Sequence, residues 1–138
     1  MRLHRDAKID LLSGVPLFAN CSKAELQKVA TLADELDLGD GATLIREGER
    51  GREFIVVAEG TVRVTRNGKH LRDLGSGDFI GEIALVADVP RTATVTATSP
   101  VRLLVVTDRA FRGLLDEMPS IATKVLQSLG ERLHADAF

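Results

Sequence analysis

Hydrophobic positions change period twice along this chain. Over the first 33 residues they recur at helical spacing. Leu3, Ala7 and Leu11 share one face of a short helix that Gly14 and Pro16 end, and residues 15–19 form an apolar turn. Ser22 and Glu25 stand three apart before an apolar run, the arrangement in which a serine caps a helix start and the glutamate reaches back. Leu26, Val29, Ala30 and Ala33 then follow at i, i+3, i+4 and i+7, which predicts an amphipathic helix.

From Asp34 the period shortens to about two. Nine of the twelve glycines lie between Gly39 and Gly81 and separate short runs of β-forming residues. Strands are predicted over 36–38, 43–46, 53–58, 61–66, 69–74, 92–98 and 101–106. Val62 and Val64 face one way in their strand, Thr61, Arg63 and Thr65 the other. Asn67-Gly68 reads as a hairpin turn, because both residues tolerate positive φ. In 92–98, Ala93, Val95 and Ala97 point to the core and the threonines away, while 101–106 is apolar enough to be buried on both faces.

The end of the chain is helical again. Thr107 or Asp108 caps a helix that buries Phe111, Leu114, Leu115 and Met118. Pro119 takes the favoured first position of a second helix, along which Ala122, Leu126, Leu129 and Leu133 mark a stripe. The predicted class is mainly β with flanking helices: N-terminal helices over 1–33, about eight antiparallel strands over 34–107, and two C-terminal helices over 108–138, all in one domain.

Composition removes several function classes. A net charge of −2 argues against a nucleic-acid binder with a basic surface. The one cysteine, Cys21, excludes an intramolecular disulfide and a cysteine-built zinc site, and reads as a small buried apolar residue. His4, His70 and His134 are far apart and show no metal-ligand spacing. Asp6, Lys8 and Asp10 interrupt the N-terminus where a signal peptide needs an apolar stretch. No segment approaches the roughly 18 apolar residues that span a bilayer. The chain is therefore expected to be cytoplasmic and off the membrane. No nucleophile motif or pair of catalytic carboxylates stands out, so no enzyme is expected.

Residues 79–95, FIGEIALVADVPRTATV, hold the candidate chemistry. Gly81 lets the backbone approach a ligand closely. The turn after it offers N–H groups to an anion, and Arg91 offers a planar fork that matches two phosphate oxygens. Glu82 would repel a phosphate, so its natural task is to accept a hydrogen bond from a sugar hydroxyl; alternatively it favours its own helix start. Alone, Arg91 would read as a solvated strand-edge arginine; Pro90 before it, Gly81-Glu82 upstream and Thr92-Ala93-Thr94 after it change that reading.

The string Gly81-Glu82-Ile83-Ala84-Leu85, followed by Pro90-Arg91-Thr92-Ala93-Thr94-Val95, resembles the phosphate-binding cassette of cyclic-nucleotide-binding domains, and the element order of nearly the whole chain is similar to theirs. The resemblance implies a jelly-roll-like antiparallel β-roll with N-terminal helices and two C-terminal lid helices. It implies that Glu82 takes the ribose 2′-hydroxyl, that Arg91 pairs with the cyclic phosphate, and that Ile83 and Ala84 give backbone N–H groups. Ala93 belongs to the same cassette. Thr92 bears on the choice between cAMP and cGMP, and cAMP is the ligand expected. By position in channel-type relatives, Val64 and Arg72 line the purine and Arg132 meets it from the lid. A solvent-facing arginine is the other reading of both Arg72 and Arg132. Leu129, Leu133 or Phe138 could cap the base instead.

The function implied is a ligand-driven conformational switch without catalysis or cofactor, with cGMP as the alternative ligand. A module of the same fold that has lost its ligand and serves as an interaction scaffold is the other alternative. Only five residues follow Leu133, so no DNA-reading domain is expected there. The output would lie in an effector protein or a missing domain, and the stripe on the last helix could pair two copies or pack on its own roll.

Overall fold

A computed structural model describes residues 3–136, and the side chains of these apart from 132 and 134–136. The chain opens with α1 (Arg5–Ser13), a 3-10 turn at Pro16–Phe18 and α2 (Lys23–Leu32). The predicted capping box is present: the Ser22 hydroxyl accepts the Glu25 N–H, and the Glu25 carboxylate accepts the Ser22 N–H at 2.9 Å. Cys21, just before that cap, is half-buried. In α1 the deepest residues are Ile9 and Leu12, not the stripe of Leu3, Ala7 and Leu11, because the face carrying Ile9 and Leu12 is the one that joins the helical core.

Eight strands follow: β1 (Asp34–Leu38), β2 (Thr43–Ile45), β3 (Glu53–Glu59), β4 (Val62–Arg66), β5 (Lys69–Leu74), β6 (Phe79–Ile80), β7 (Thr94–Ala97) and β8 (Val101–Thr107). They form two four-stranded sheets, β1-β8-β3-β6 and β2-β7-β4-β5, antiparallel at every pairing. The β-roll with flanking helices is thus as expected. β6 is the strand that the hydrophobic pattern did not single out, since two residues cannot display a period. The hairpin between β4 and β5 turns on Asn67 (φ 52°) and Gly68 (φ 77°).

Strands β3 and β8 pair centrally in their sheet and are apolar on both faces for a reason. Phe54, Val56, Leu104 and Val106 project into a core shared with the helices. Their alternates Ile55, Val57, Leu103 and Val105 project into the roll interior. An aromatic chain runs through the helical core, Phe111 to Phe18 (5.8 Å between ring centres), Phe18 to Phe54 (6.0 Å) and Phe54 to Phe79 (6.2 Å).

The chain closes with α3 (Asp108–Glu117) and α4 (Pro119–Asp136). Thr107 is the cap of α3, its hydroxyl accepting the Ala110 N–H at 3.2 Å. The stripe predicted on α4 is not its buried face. Ile121, Val125 and Ser128 are buried, whereas Leu126 and Leu133 are 68% and 72% exposed. The helix lies against the Pro16–Phe18 turn and α3, and that contact selects a different side of the helix.

A polar seam fixes α4 there. Glu25, only 5% exposed, accepts hydrogen bonds from the Ser120 hydroxyl (2.7 Å) and the Lys124 ammonium. Further along, the Asn20 amide donates to Ser128 Oγ at 3.0 Å and to Glu131 at 3.3 Å. The Lys124 ammonium first, then the Ser22 N–H and the Ser120 hydroxyl, hold the Glu25 carboxyl down at about 2, from an ordinary 4.5. A depressed carboxyl contributes stability that is full above its unfolded value and lost as pH falls towards the folded one. Lys124→Met is therefore expected to lower the melting temperature by about 5 °C at neutral pH. The difference from wild type should shrink as pH is taken from 4.5 towards 2, followed by circular dichroism melts across that range.

Candidate functional site

A cavity of about 430 Å³ opens between the inner face of the β2-β7-β4-β5 sheet and the segment that follows β6. Residues directly opposite on antiparallel strands share a face. Ile45 pairs with Val95, Val95 with Val64, and Val64 with Arg72, so these four make one row across all four strands. All four line the cavity. Arg72 thus belongs to the inner face of its strand, although the opening leaves it exposed. Between Thr65 and Val64 the register shifts by one residue: Thr65 faces His70 and Val64 faces Arg72, leaving Leu71 as a bulge. Leu71 also lines the cavity.

The opposite wall is built after β6. Gly81 adopts the left-handed conformation (φ 78°, ψ 27°) that an L side chain disfavours. It starts a single 3-10 turn, Glu82–Leu85, where a short helix had been expected. Glu82 is half-buried and lines the cavity. Ile83 is exposed at its rim, and Ala84 is buried against it. The Ala84 N–H donates to the Gly81 carbonyl at 3.0 Å, closing the turn. The next residue, Leu85, is fully buried in the helical core with Phe111. One turn therefore has a cavity-facing residue and a core residue side by side.

Arg91 reaches the same cavity from the other side of the loop. Its backbone N–H donates to the Glu49 carbonyl at 2.7 Å, and its carbonyl accepts the Gly48 N–H at 2.8 Å. Its side chain is only 10% exposed. Nη2 donates to the Glu53 carbonyl at 2.6 Å, and the Glu53 carboxylate lies 3.6 Å away. Burial pulls the guanidinium below its ordinary pKa, and the Glu53 charge opposes that. A Cβ added at Gly81 would fall 2.2 Å from Arg91 Nη1, so the turn glycine and the arginine are in direct contact.

Nine of the ten residues singled out in the sequence line this one cavity: Val64, Arg72, Gly81, Glu82, Ile83, Ala84, Arg91, Thr92 and Ala93. The tenth, Arg132, has its side chain outside the described residues, as does Phe138 entirely. Among the described residues none of α4 lines the cavity; Leu129 packs on the helical core and Leu133 is exposed. Sequence reasoning missed Ile45, Leu71 and Leu74, whose signal lay in strand alternation across a sheet of unknown pairing. It also missed Arg66, which lines the cavity and donates from Nε to the Thr92 carbonyl at 2.8 Å. Glu53 acts on Arg91 chiefly through its backbone and has no side-chain signature. Among the described residues no group of three or more His, Cys, Asp or Glu is placed to hold a metal ion, and no helix is long and apolar enough to cross a membrane.

Residues 35–118 match the family model of the cyclic nucleotide-binding domain. A cAMP-dependent protein kinase regulatory subunit from Mycosarcoma maydis is 40% identical over 119 residues, 80% of this chain and 23% of that protein. The cGMP-dependent protein kinase egl-4 of Caenorhabditis briggsae is 33% identical over 120 residues, 82% of this chain and 16% of that protein. The chain thus spans less than a quarter of the length of these relatives. Among solved structures, the N-terminal domain of a transcriptional regulator from Streptomyces coelicolor A3(2) superposes with a TM-score of 0.87 at 32% identity, covering 92% of this chain and 94% of that one.

Two substitutions check the local construction. Gly81→Ala is expected to destabilise by about 1–2 kcal/mol, since the new side chain is strained at positive φ. Leu85→Ala empties a fully buried site and is expected to cost about 2–5 kcal/mol. Urea unfolding midpoints measure both; an unchanged midpoint for Leu85→Ala would contradict the joint between turn and core.

Proposed function

This chain belongs to the cyclic nucleotide-binding domain family, and we propose that it is a non-catalytic, cofactor-free regulatory switch whose ligand is cAMP. The observation that carries this reading is Arg91, a cation on a side chain only 10% exposed at the wall of a cavity. A phosphate monoanion would offer it two acceptors in place of the Glu53 carbonyl. Glu82, beside Gly81, would accept the ribose 2′-hydroxyl. Ile83 and the 3-10 turn would meet the phosphate through backbone, and Val64, Ala93 and the apolar row beside them would take the purine.

The switch would run through the turn. Any shift of Glu82–Leu85 towards a bound phosphate carries Leu85 with it, and Leu85 packs in the core that holds α3. A ligand moves such an equilibrium only by its different affinity for the two states. Closure of α4 over the base, with Arg132, Leu129 or Leu133 as the capping residue, would require α4 to leave its seam with Asn20 and Glu25. The output would pass to an effector protein or to a second copy meeting the exposed Leu126 and Leu133.

One observation favours cGMP as a second reading. Among the described residues no carboxylate pairs with Arg72, which stands in the inner row beside Val64. A guanidinium fork matches the O6 and N7 acceptors of guanine, whereas adenine presents an amino donor at the same edge. Thr92, at the cavity wall, offers a hydroxyl within the same site.

Calorimetric titration with cAMP and then cGMP tests both readings. Saturable cAMP binding is expected, with Arg91→Ala weakening it roughly 100-fold or more and Arg91→Lys failing to restore it. Tighter binding of cGMP, with Arg72→Ala removing the preference, would establish the second reading. No heat with either nucleotide, in protein shown to be folded and ligand-free, would overturn both and leave the scaffold alternative.

A further inference from the structure

We propose that Gly51 is a positioning residue for the Arg91 guanidinium, so that the absence of a side chain at position 51 sets where the phosphate-facing fork sits; this rests on the reading of Arg91 given above. A Cβ built on Gly51 would lie 2.7 Å from Arg91 Nε, 2.8 Å from Cζ and 2.9 Å from Cδ. Its three nearest neighbours are thus all atoms of one side chain. The arginine lies across the glycine backbone and continues to the Glu53 carbonyl, two residues on, where Nη2 donates at 2.6 Å.

The backbone at position 51 does not itself call for glycine. Six glycines of the chain have positive φ, and Gly51 is not one of them. Gly60 makes the contrast clear: its φ is 94°, and an added Cβ would strike the Pro100 carbonyl at 2.3 Å. There the fold forbids a side chain. At Gly51 the three closest obstacles all belong to the flexible end of Arg91.

The conflict has a single outlet. Gly51 is buried, and its N–H donates to the Val89 carbonyl at 3.4 Å. On one side Arg50 pairs with Pro90 in a β-bridge and with Asp88 in a 2.6 Å ion pair. The loops carrying Gly51 and Arg91 are clasped together, so a methyl group cannot be relieved by separating them without losing those bonds. The arginine side chain, with rotatable bonds to spare, moves instead. It then leaves the Glu53 carbonyl and the edge of Gly81 together.

The test is a double-mutant cycle of Gly51→Ala with Arg91→Ala, read in two ways. In the ligand-free protein, Gly51→Ala is expected to lower the melting temperature while Arg91 is present and to leave it unchanged or raised in the Arg91→Ala background. An equal drop in both backgrounds, or none in either, would overturn the inference. In titration with cAMP and cGMP, Gly51→Ala is expected to weaken the bound nucleotide roughly tenfold to a hundredfold while the protein stays folded. Affinity equal to wild type would likewise overturn it. If wild type binds neither nucleotide, the proposed function fails, and the ligand-free cycle still decides the contact between Gly51 and Arg91.

Discussion

A charge almost out of water must be answered locally, and in this protein that demand falls on Arg91. Its side chain is 10% exposed, and its guanidinium meets one backbone carbonyl and one carboxylate, both of Glu53. A buried ion is tolerated only when geometry compensates for lost hydration. Two loops are clasped to supply that geometry: Gly48 and Glu49 bind the Arg91 backbone, and Arg50 bridges to Pro90. The cavity wall, the left-handed turn at Gly81 and the start of β3 all converge on this one cation. The site's polarity is already present in the protein, with Glu53 as the internal partner of the cation.

The fold places this cation between two cores. β3 and β8 are shared walls, with Phe54, Val56, Leu104 and Val106 facing the helices and their neighbours facing the roll. The Glu82–Leu85 turn joins a cavity residue directly to a helical-core residue, Ala84 to Leu85, and Phe79 just before it lines the cavity while packing on Phe54. The cavity wall and the helical core therefore meet along one stretch of chain, residues 79–85. The α4 helix, by contrast, is held by Glu25 and Asn20, neither of which lines the cavity.

Much of this was legible in the sequence, and the reason is local chemistry. The capping box at Ser22, the Asn67-Gly68 hairpin and the Thr107 cap each depend on residues a few positions apart. The same holds for the Gly81 to Arg91 cassette. What stayed hidden depends on which strand lies beside which. Ile45 becomes a cavity residue only because β2 pairs with β7, and Leu71 because β5 bulges where it pairs with β4. The α4 stripe misled because Ala122, Leu126, Leu129 and Leu133 keep a regular spacing, while the packed face is set by the Pro16–Phe18 turn, which no helical period announces.

The bulge at Leu71 has a consequence for how this cavity wall tolerates changes in chain length. Opposite residues on β4 and β5 stay matched on either side of it, Arg72 with Val64 and His70 with Thr65. Chain length can therefore change by one residue at that point without turning any other side chain of the hairpin inside out. In a regular stretch of ladder a deletion would reverse every residue beyond it. The rim of the cavity is thus a place where the chain can lose a residue, and not only exchange one, while the roll keeps its register.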